Sequence, residues 1–306
     1  MGNLDGTAIK AIDLPSYTVL DVRGTIRIED GETFANYVPL RCLGQHDIDI
    51  PNVGIFGNPR YSIWVQSCTD FHMGYVEIVH TLPIQIGLGV RIDSARGPRS
   101  KNVSLDYLYA EKTGSHGLET VAVDGLRVGT VRAVNTWEAG ALIQGLGSAE
   151  IGLVDATNAS RGWAAEGHTK NHAALRFAND AGPGIHVEKV IARKGARGIF
   201  CVSQSWGITI DEVDIAETEG ESILIENCYD VNIASKRGTV SGKEVRVASR
   251  GEFPPSTKVT LQNLTLNNSQ SRNTVCDGKI IVQNNVLNAS QLLLCPGDDA
   301  DGNVVR

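Results

Sequence analysis

Two acids, two guanidiniums and a histidine stand at positions that a repeating chain would bring together: Arg91, His116, Glu119, Glu138 and Arg176, with Asp93 close behind Arg91. On a substrate that carries a carboxylate, such a set divides into roles. Guanidiniums neutralise the carboxylate, a base removes the neighbouring proton and an acid protonates the leaving oxygen. In that scheme Arg91 and Arg176 neutralise, His116 is the base and Glu138 or Lys170 is the acid. Hydrolysis draws on a different part of the set. Glu119 with Asp93 or Glu138 supplies paired carboxylates, which must lie ~5–5.5 Å apart for retention or ~6.5–9.5 Å apart for inversion. A plainer reading stands beside both, because Arg91 and Glu119 could simply satisfy each other as a structural ion pair.

These residues meet only if the chain folds as stacked units. Between residues 60 and 250 one pattern returns roughly every 24 residues, the signature of a solenoid. Each copy has a small residue, an alternating apolar stretch, a polar turn, a second alternating stretch and an exit rich in Gly, Thr and Asn. The copies read SIWVQSC from Ser62, GVRIDSA from Gly89, GLETVAV from Gly117, ALIQGLG from Ala141, ALRFAND from Ala174, GIFCVSQ from Gly198, SILIENC from Ser222 and EVRVASR from Glu244. Period-2 alternation implies strands with one buried face, through pairs such as Ile63/Val65, Val90/Ile92, Leu118/Thr120, Leu175/Phe177 and Ile199/Cys201, with Leu142 as the anchor of its own copy. The expected architecture is all-β, a right-handed parallel β-helix of roughly ten coils with capped ends. It forms one domain over 1–306: leading coils and cap at 1–60, regular coils at 61–250, closing coils and cap at 251–306. The polar tail 296–306 is expected to be loose. Leucine-rich repeats share the period, but their signature is missing, and a propeller blade would need about 40 residues.

Stacking turns outward positions into columns with a spacing of ~4.8 Å. One column should run Trp64, Arg91, Glu119, Ile143, Arg176, Phe200, Leu224, Arg246, and a second Gln66, Asp93, Val121, Gly145, Ala178, Val202, Glu226. Large apolar residues mixed with isolated charges suggest a covered or ligand-lined groove, with Trp64 and Asp93 on its wall. The copy beginning near residue 141 is about nine residues too long. The excess falls in a stretch carrying Arg161, Trp163, Glu166, His168, Lys170 and His172, and insertions in repeat proteins become loops on one face. Glu166, His168 and His172 are disfavoured as a metal set, because the stretch is broken by Gly and no helix holds the spacing. An aromatic platform with cationic groups is the better reading. Arg193, Lys194 and Arg197 in the RKGAR turn add to the same edge. A locally basic site suggests an anionic ligand, and uronic-acid polysaccharides are the natural class.

Composition narrows the partners. The chain has 306 residues, 42% hydrophobic content, 33 glycines and a net charge of −7. That charge argues against nucleic acid or a bilayer surface, and no apolar run reaches the ~18 residues that would span a membrane. None of Cys42, Cys68, Cys201, Cys228, Cys276 and Cys295 forms a CxxC pair, so zinc or redox chemistry is not expected. Buried thiols are one reading of them; bridges Cys201–Cys228 and Cys276–Cys295 are the other. Sequons at Asn102, Asn158, Asn263, Asn267 and Asn288 are compatible with secretion. The start MGNLDGTAIK lacks a basic-then-apolar segment, so a secreted chain is expected here with its signal peptide removed.

The layout resembles the pectin-lyase-like superfamily, the β-helices that include pectate lyases, polygalacturonases and alginate-type lyases. His116-Gly117 in SHGLE resembles the Gly-His-Gly motif of polygalacturonases, and GVRID at 89–93 resembles their Arg-Ile-Lys motif in the reverse order along the chain. Their Asn-Thr-Asp and Asp-Asp motifs are missing, as is the Asp cluster with which pectate lyases bind calcium. The resemblance implies a carbohydrate-active enzyme on an acidic polysaccharide, first as a lyase and second as a hydrolase, with no cofactor indicated. A non-catalytic glycan-binding or assembly module is the rival class. Oligomeric state leaves no mark on the sequence.

Overall fold

An alternating stretch buries one face only, so each copy of the repeat needs a neighbour above and below. The computed structural model, which describes residues 9–28, 37–81, 87–94, 97–160 and 171–306, supplies those neighbours. Among the described residues every regular element is a strand. They form a parallel β-solenoid of about 11 turns, one more than expected. A 12-stranded and a 14-stranded sheet, the first and second sheets, take alternate strands of the chain as far as Val245–Ala248, after which Thr257–Gln262 and Ile280–Gln283 form a side branch of the second.

In the first sheet the inward column runs Ile63, Val90, Leu118, Ala141, Leu175, Ile199, Ile223, Val245. Against it the second sheet sets Val128, Ile151, Val187, Ile210 and Ile233, likewise in register. One expected anchor is corrected. Ala141 pairs with Leu118, and Leu142 turns outward to join the column between Glu119 and Arg176. Ile143 therefore belongs to the core and Gln144 takes the place expected for Gly145. The cause is local: Ala141, Leu142 and Ile143 are all apolar, so alternation does not mark which face is which.

The small residue opening each copy has a steric cause. A Cβ on Gly89 would sit 2.1 Å from the carbonyl oxygen of Gly117, and one on Gly117 or Gly140 would sit 2.7 Å from the carbonyl oxygen in the following rung. At the other end of the rung, Lys112, Asn135, Asn158, Lys194 and Glu217 turn the chain with φ between 55° and 60°. Asn tolerates that left-handed region best among residues with a side chain, and Asn158 donates to Asn135 below it at 2.6 Å.

Three disulfides tie the solenoid. Cys201–Cys228 and Cys276–Cys295 were among the alternatives in the sequence, while Cys42–Cys68 joins the leading coils in the same way. Each closes a loop of a size for which the bond contributes about 3 kcal/mol. The tail is tied down instead of loose. Asp298 accepts from the backbone of Cys295 and Ile280 and from Asn273, and Val304–Val305 adds the last strand of the second sheet.

Gly89→Ala should lower stability by about 2 kcal/mol, since backbone in the adjacent rung must move to admit one methyl. Urea unfolding checks this; a midpoint equal to that of the parent chain would contradict the steric account.

Candidate active site

Two polar columns rise side by side on the outer face of the first sheet. The first belongs to the strands themselves: Trp64, Arg91, Glu119, Leu142, Arg176, Phe200, Leu224, Arg246. The second belongs to the turns two or three residues before each strand, where successive rungs present Ser115 and His116, then Glu138, then His172, then Arg197. Backbone bonds hold these turns in line, among them Glu138 N–H to the Ser115 carbonyl at 3.2 Å and Ala174 N–H to the Arg197 carbonyl at 3.0 Å.

The lower part of the first column is a closed ion-pair network. Arg91 donates to Asp93 and to Glu119. Asp93 also accepts from Trp64 at 3.2 Å and Gln66 at 2.7 Å, while Glu119 accepts from Gln144 at 2.7 Å. Asp93 is buried and Glu119 is only 8% exposed. Burial pushes the Glu119 carboxyl up from its ordinary range, with Arg91 opposing. Burial also pulls on Arg91, but Glu119 and Asp93 outweigh it and raise the guanidinium. Asp93 and Glu119 thus spend hydrogen-bond acceptors on protein partners, while Glu119 also lines the cleft beside Glu138.

The second column is arranged differently. Ser115 Oγ donates to Glu138, His116 Nε2 lies 3.1 Å from the same carboxylate, and His172 Nε2 lies 3.5 Å from its other oxygen. His116 Nδ1 accepts the Ala139 N–H at 3.0 Å, so the neutral ring carries its proton on Nε2 and points it at Glu138. Arg176 Nη1 faces His172 Nδ1 at 3.1 Å, which fixes the second ring in the same sense. His116 is 5% exposed, and burial, then the charges of His172, Arg176 and Arg91, hold it well below the usual histidine range. Burial, helped by Arg176 and Arg197, takes His172 down to about 3. Two neutral imidazoles and a hydroxyl therefore present donors to one carboxylate, whose side chain keeps 23% exposure. Glu138 is the group here placed to receive a proton; His116, whose Nδ1 is occupied, is placed to donate.

A cleft of about 290 Å³ opens beside Tyr61, His116 and Glu138. Across the Glu138–His172 contact a second pocket of about 550 Å³ lies around Phe200. Arg197 also lines a third, of about 860 Å³, that runs on to Gln291.

The structure brings together His116, Glu138, His172, Arg176 and Arg197, and sets Arg91, Glu119, Asp93 and Trp64 in the adjoining network. It does not bring Arg193 or Lys194 there. These end a strand of the second sheet, where Arg193 pairs with Asp214 and Lys194 is exposed. Arg161, Trp163, Glu166, His168 and Lys170 lie outside the described residues. Among the described residues no three His, Cys, Asp or Glu are arranged to hold a metal ion. Ser115, Gln144 and Arg250 were not singled out in the sequence. The first fills the place of a glycine in the resembled motif, the second was displaced by the one-residue slip at Ala141, and the third follows a strand, where no period applies.

Comparison of the chain with protein-family models, with curated proteins and with solved structures found no match.

Two outcomes test the geometry. Glu119→Gln should cost about 3 kcal/mol of stability, measured by denaturation, because it leaves the half-buried Arg91 short of a charge; an unchanged midpoint would remove the ion-pair account. The unfolded chain protonates His172 near the ordinary histidine value of 6.5 and the folded chain near 3, so this ring draws stability away as pH falls through that window. Imidazole NMR should show His172 still neutral at a pH of about 5, and a midpoint at or above the ordinary value would contradict its burial.

Proposed function

We propose that the chain is a carbohydrate-active enzyme that cleaves an acidic, uronate-containing polysaccharide by β-elimination, and that it is a distant relative of the pectin-lyase-like superfamily. The observation that carries this reading is Glu138, a part-exposed carboxylate gripped by Ser115, His116 and His172 at the junction of two pockets, with Arg176 alongside. Elimination needs the substrate carboxylate neutralised, the adjacent proton removed and the leaving oxygen protonated. Arg176 is suited to the first task. Glu138 takes the C5 proton as the C–H electron pair forms the new double bond and the C4–O bond breaks. It then returns that proton to the departing oxygen. His116, His172 and Ser115 hold the carboxylate in place throughout. One group serving both steps implies that proton and leaving oxygen depart from the same face of the sugar.

Hydrolysis is the second reading: Glu119 lines the same cleft as Glu138, and burial pushes its carboxyl up, the direction a general acid requires. Three disulfides fit a secreted protein working in an oxidising compartment.

The test is a panel of uronate polymers, including pectate, alginate and glucuronan, followed by ultraviolet absorbance of unsaturated product together with new reducing ends. Absorbance should rise with at least one polymer, and Glu138→Gln should lose on the order of 10³-fold in rate with its circular dichroism unchanged. Reducing ends without absorbance would replace elimination by hydrolysis, and neither signal with polymer still bound would leave a binding module.

A further inference from the structure

The lining of the second pocket is cationic. Arg176, Arg197, Arg246 and Arg250 line it, against the single lining carboxylate of Glu226. Glu226 and Glu252 each pair with Arg250 at 2.8 Å, Glu221 takes Arg197 at 2.7 Å and Arg246 at 3.2 Å, and Glu244 lies 3.8 Å from Arg246. After those pairings the buried donors Arg176 Nε, Arg197 Nη1 and Arg246 Nε have no hydrogen-bond partner. Arg197 is 8% exposed, while Arg246 and Arg250 keep side-chain exposures of 27% and 45%. Arg176 and Arg197 both lie over the Phe200 ring, at 5.2 and 4.8 Å from its centroid, which fixes their planes. Leaving a buried donor unmet is costly, and more so for a charged group.

The second sheet shows what a self-sufficient cluster looks like. There His186 sits between Glu150 at 2.8 Å and Asp211 at 2.9 Å, and Lys236 meets Asp211 at 2.8 Å. At the Phe200 pocket Glu221, Glu244 and Glu252 stand outside the lining, and Arg176 pairs with no carboxylate among the described residues. Like charges gather around it: burial, then Arg197 and Arg250, hold Arg176 below its ordinary value against the opposing pull of Glu138.

We propose that the Phe200 pocket is an oxyanion subsite in which Arg176, Arg197, Arg246 and Arg250 receive the carboxylate or sulfate ester of a sugar unit neighbouring the one at Glu138. The sugar part of this inference rests on the proposed function; the oxyanion part rests on the guanidiniums alone. Planar forks with donors left over suit three-atom oxyanions, which accept two parallel N–H bonds. The 3.5 Å contact between His172 and Glu138 makes the subsite contiguous with the cleft, so an anchored unit would present its neighbour to Glu138.

Calorimetric titration of the whole protein with inorganic sulfate, galacturonate and uncharged galactose tests this. Sulfate or galacturonate should bind and galactose should not, and whichever anion binds more tightly assigns the substituent. Arg250→Gln should weaken the anion about tenfold, and Glu226→Gln should tighten it. Binding of neither anion, or affinity indifferent to both Arg250→Gln and Glu226→Gln, would overturn the subsite. Anion binding that persists while Glu138→Gln still cleaves polymer would overturn the catalytic reading and leave the subsite standing.

Discussion

Every feature of this protein depends on the in-register parallel hydrogen bonding that sets one rung ~4.8 Å above the next. That spacing fixes backbone positions so tightly that Gly89, Gly117 and Gly140 cannot carry a Cβ without meeting the carbonyl of the adjacent rung. It also decides what stacks on what. Apolar residues stacked inward give a continuous core, whereas outward charges stacked at the same spacing must alternate in sign or find another partner.

The two outer columns resolve that demand in opposite ways. Arg91 lies between Asp93 and Glu119, and Gln144 and Trp64 take up the remaining acceptors, so the lower part of the strand column is complete within itself. The turn column places Ser115, His116 and His172 around one carboxylate and keeps both rings neutral by burial. Farther along, Glu221 bridges Arg197 and Arg246, while Arg176 pairs with no carboxylate among the described residues and the pocket lining is cationic. Closed network, poised carboxylate and cationic lining follow one another along a single sheet face. A polymer laid along that face would meet them in that order, which is why the reading favours an extended acidic ligand over a small one.

Much of this was legible in the residues. Alternation located the inward pairs from Ile63/Val65 to Ile199/Cys201, and the repeat placed Arg91, Glu119 and Arg176 in one column and Glu138 beside His116. Reading failed where the physics left no periodic mark. At Ala141-Leu142-Ile143 three apolar residues in a row hide the alternation, so the register slipped by one. Burial of Glu119 and His116 was missed because an outward position on a strand can still be covered by neighbouring side chains and turns. The RKGAR turn divides between two faces: Arg193 looks to the second sheet and Arg197 to the first, a split that proximity in the chain conceals. His172 read as part of a loop wall, yet its offset from Leu175 is the one that brings Glu138 to the same station before Ala141.

A crystal structure of Glu138→Gln with a bound acidic oligosaccharide tests the central claim most directly. The account predicts a sugar chain along the outer face of the first sheet, one acidic substituent among Arg176, Arg197 and Arg246, and the adjoining unit with its C5 facing residue 138. An oligosaccharide seated on the second sheet, or one whose acidic groups avoid those arginines, would contradict it.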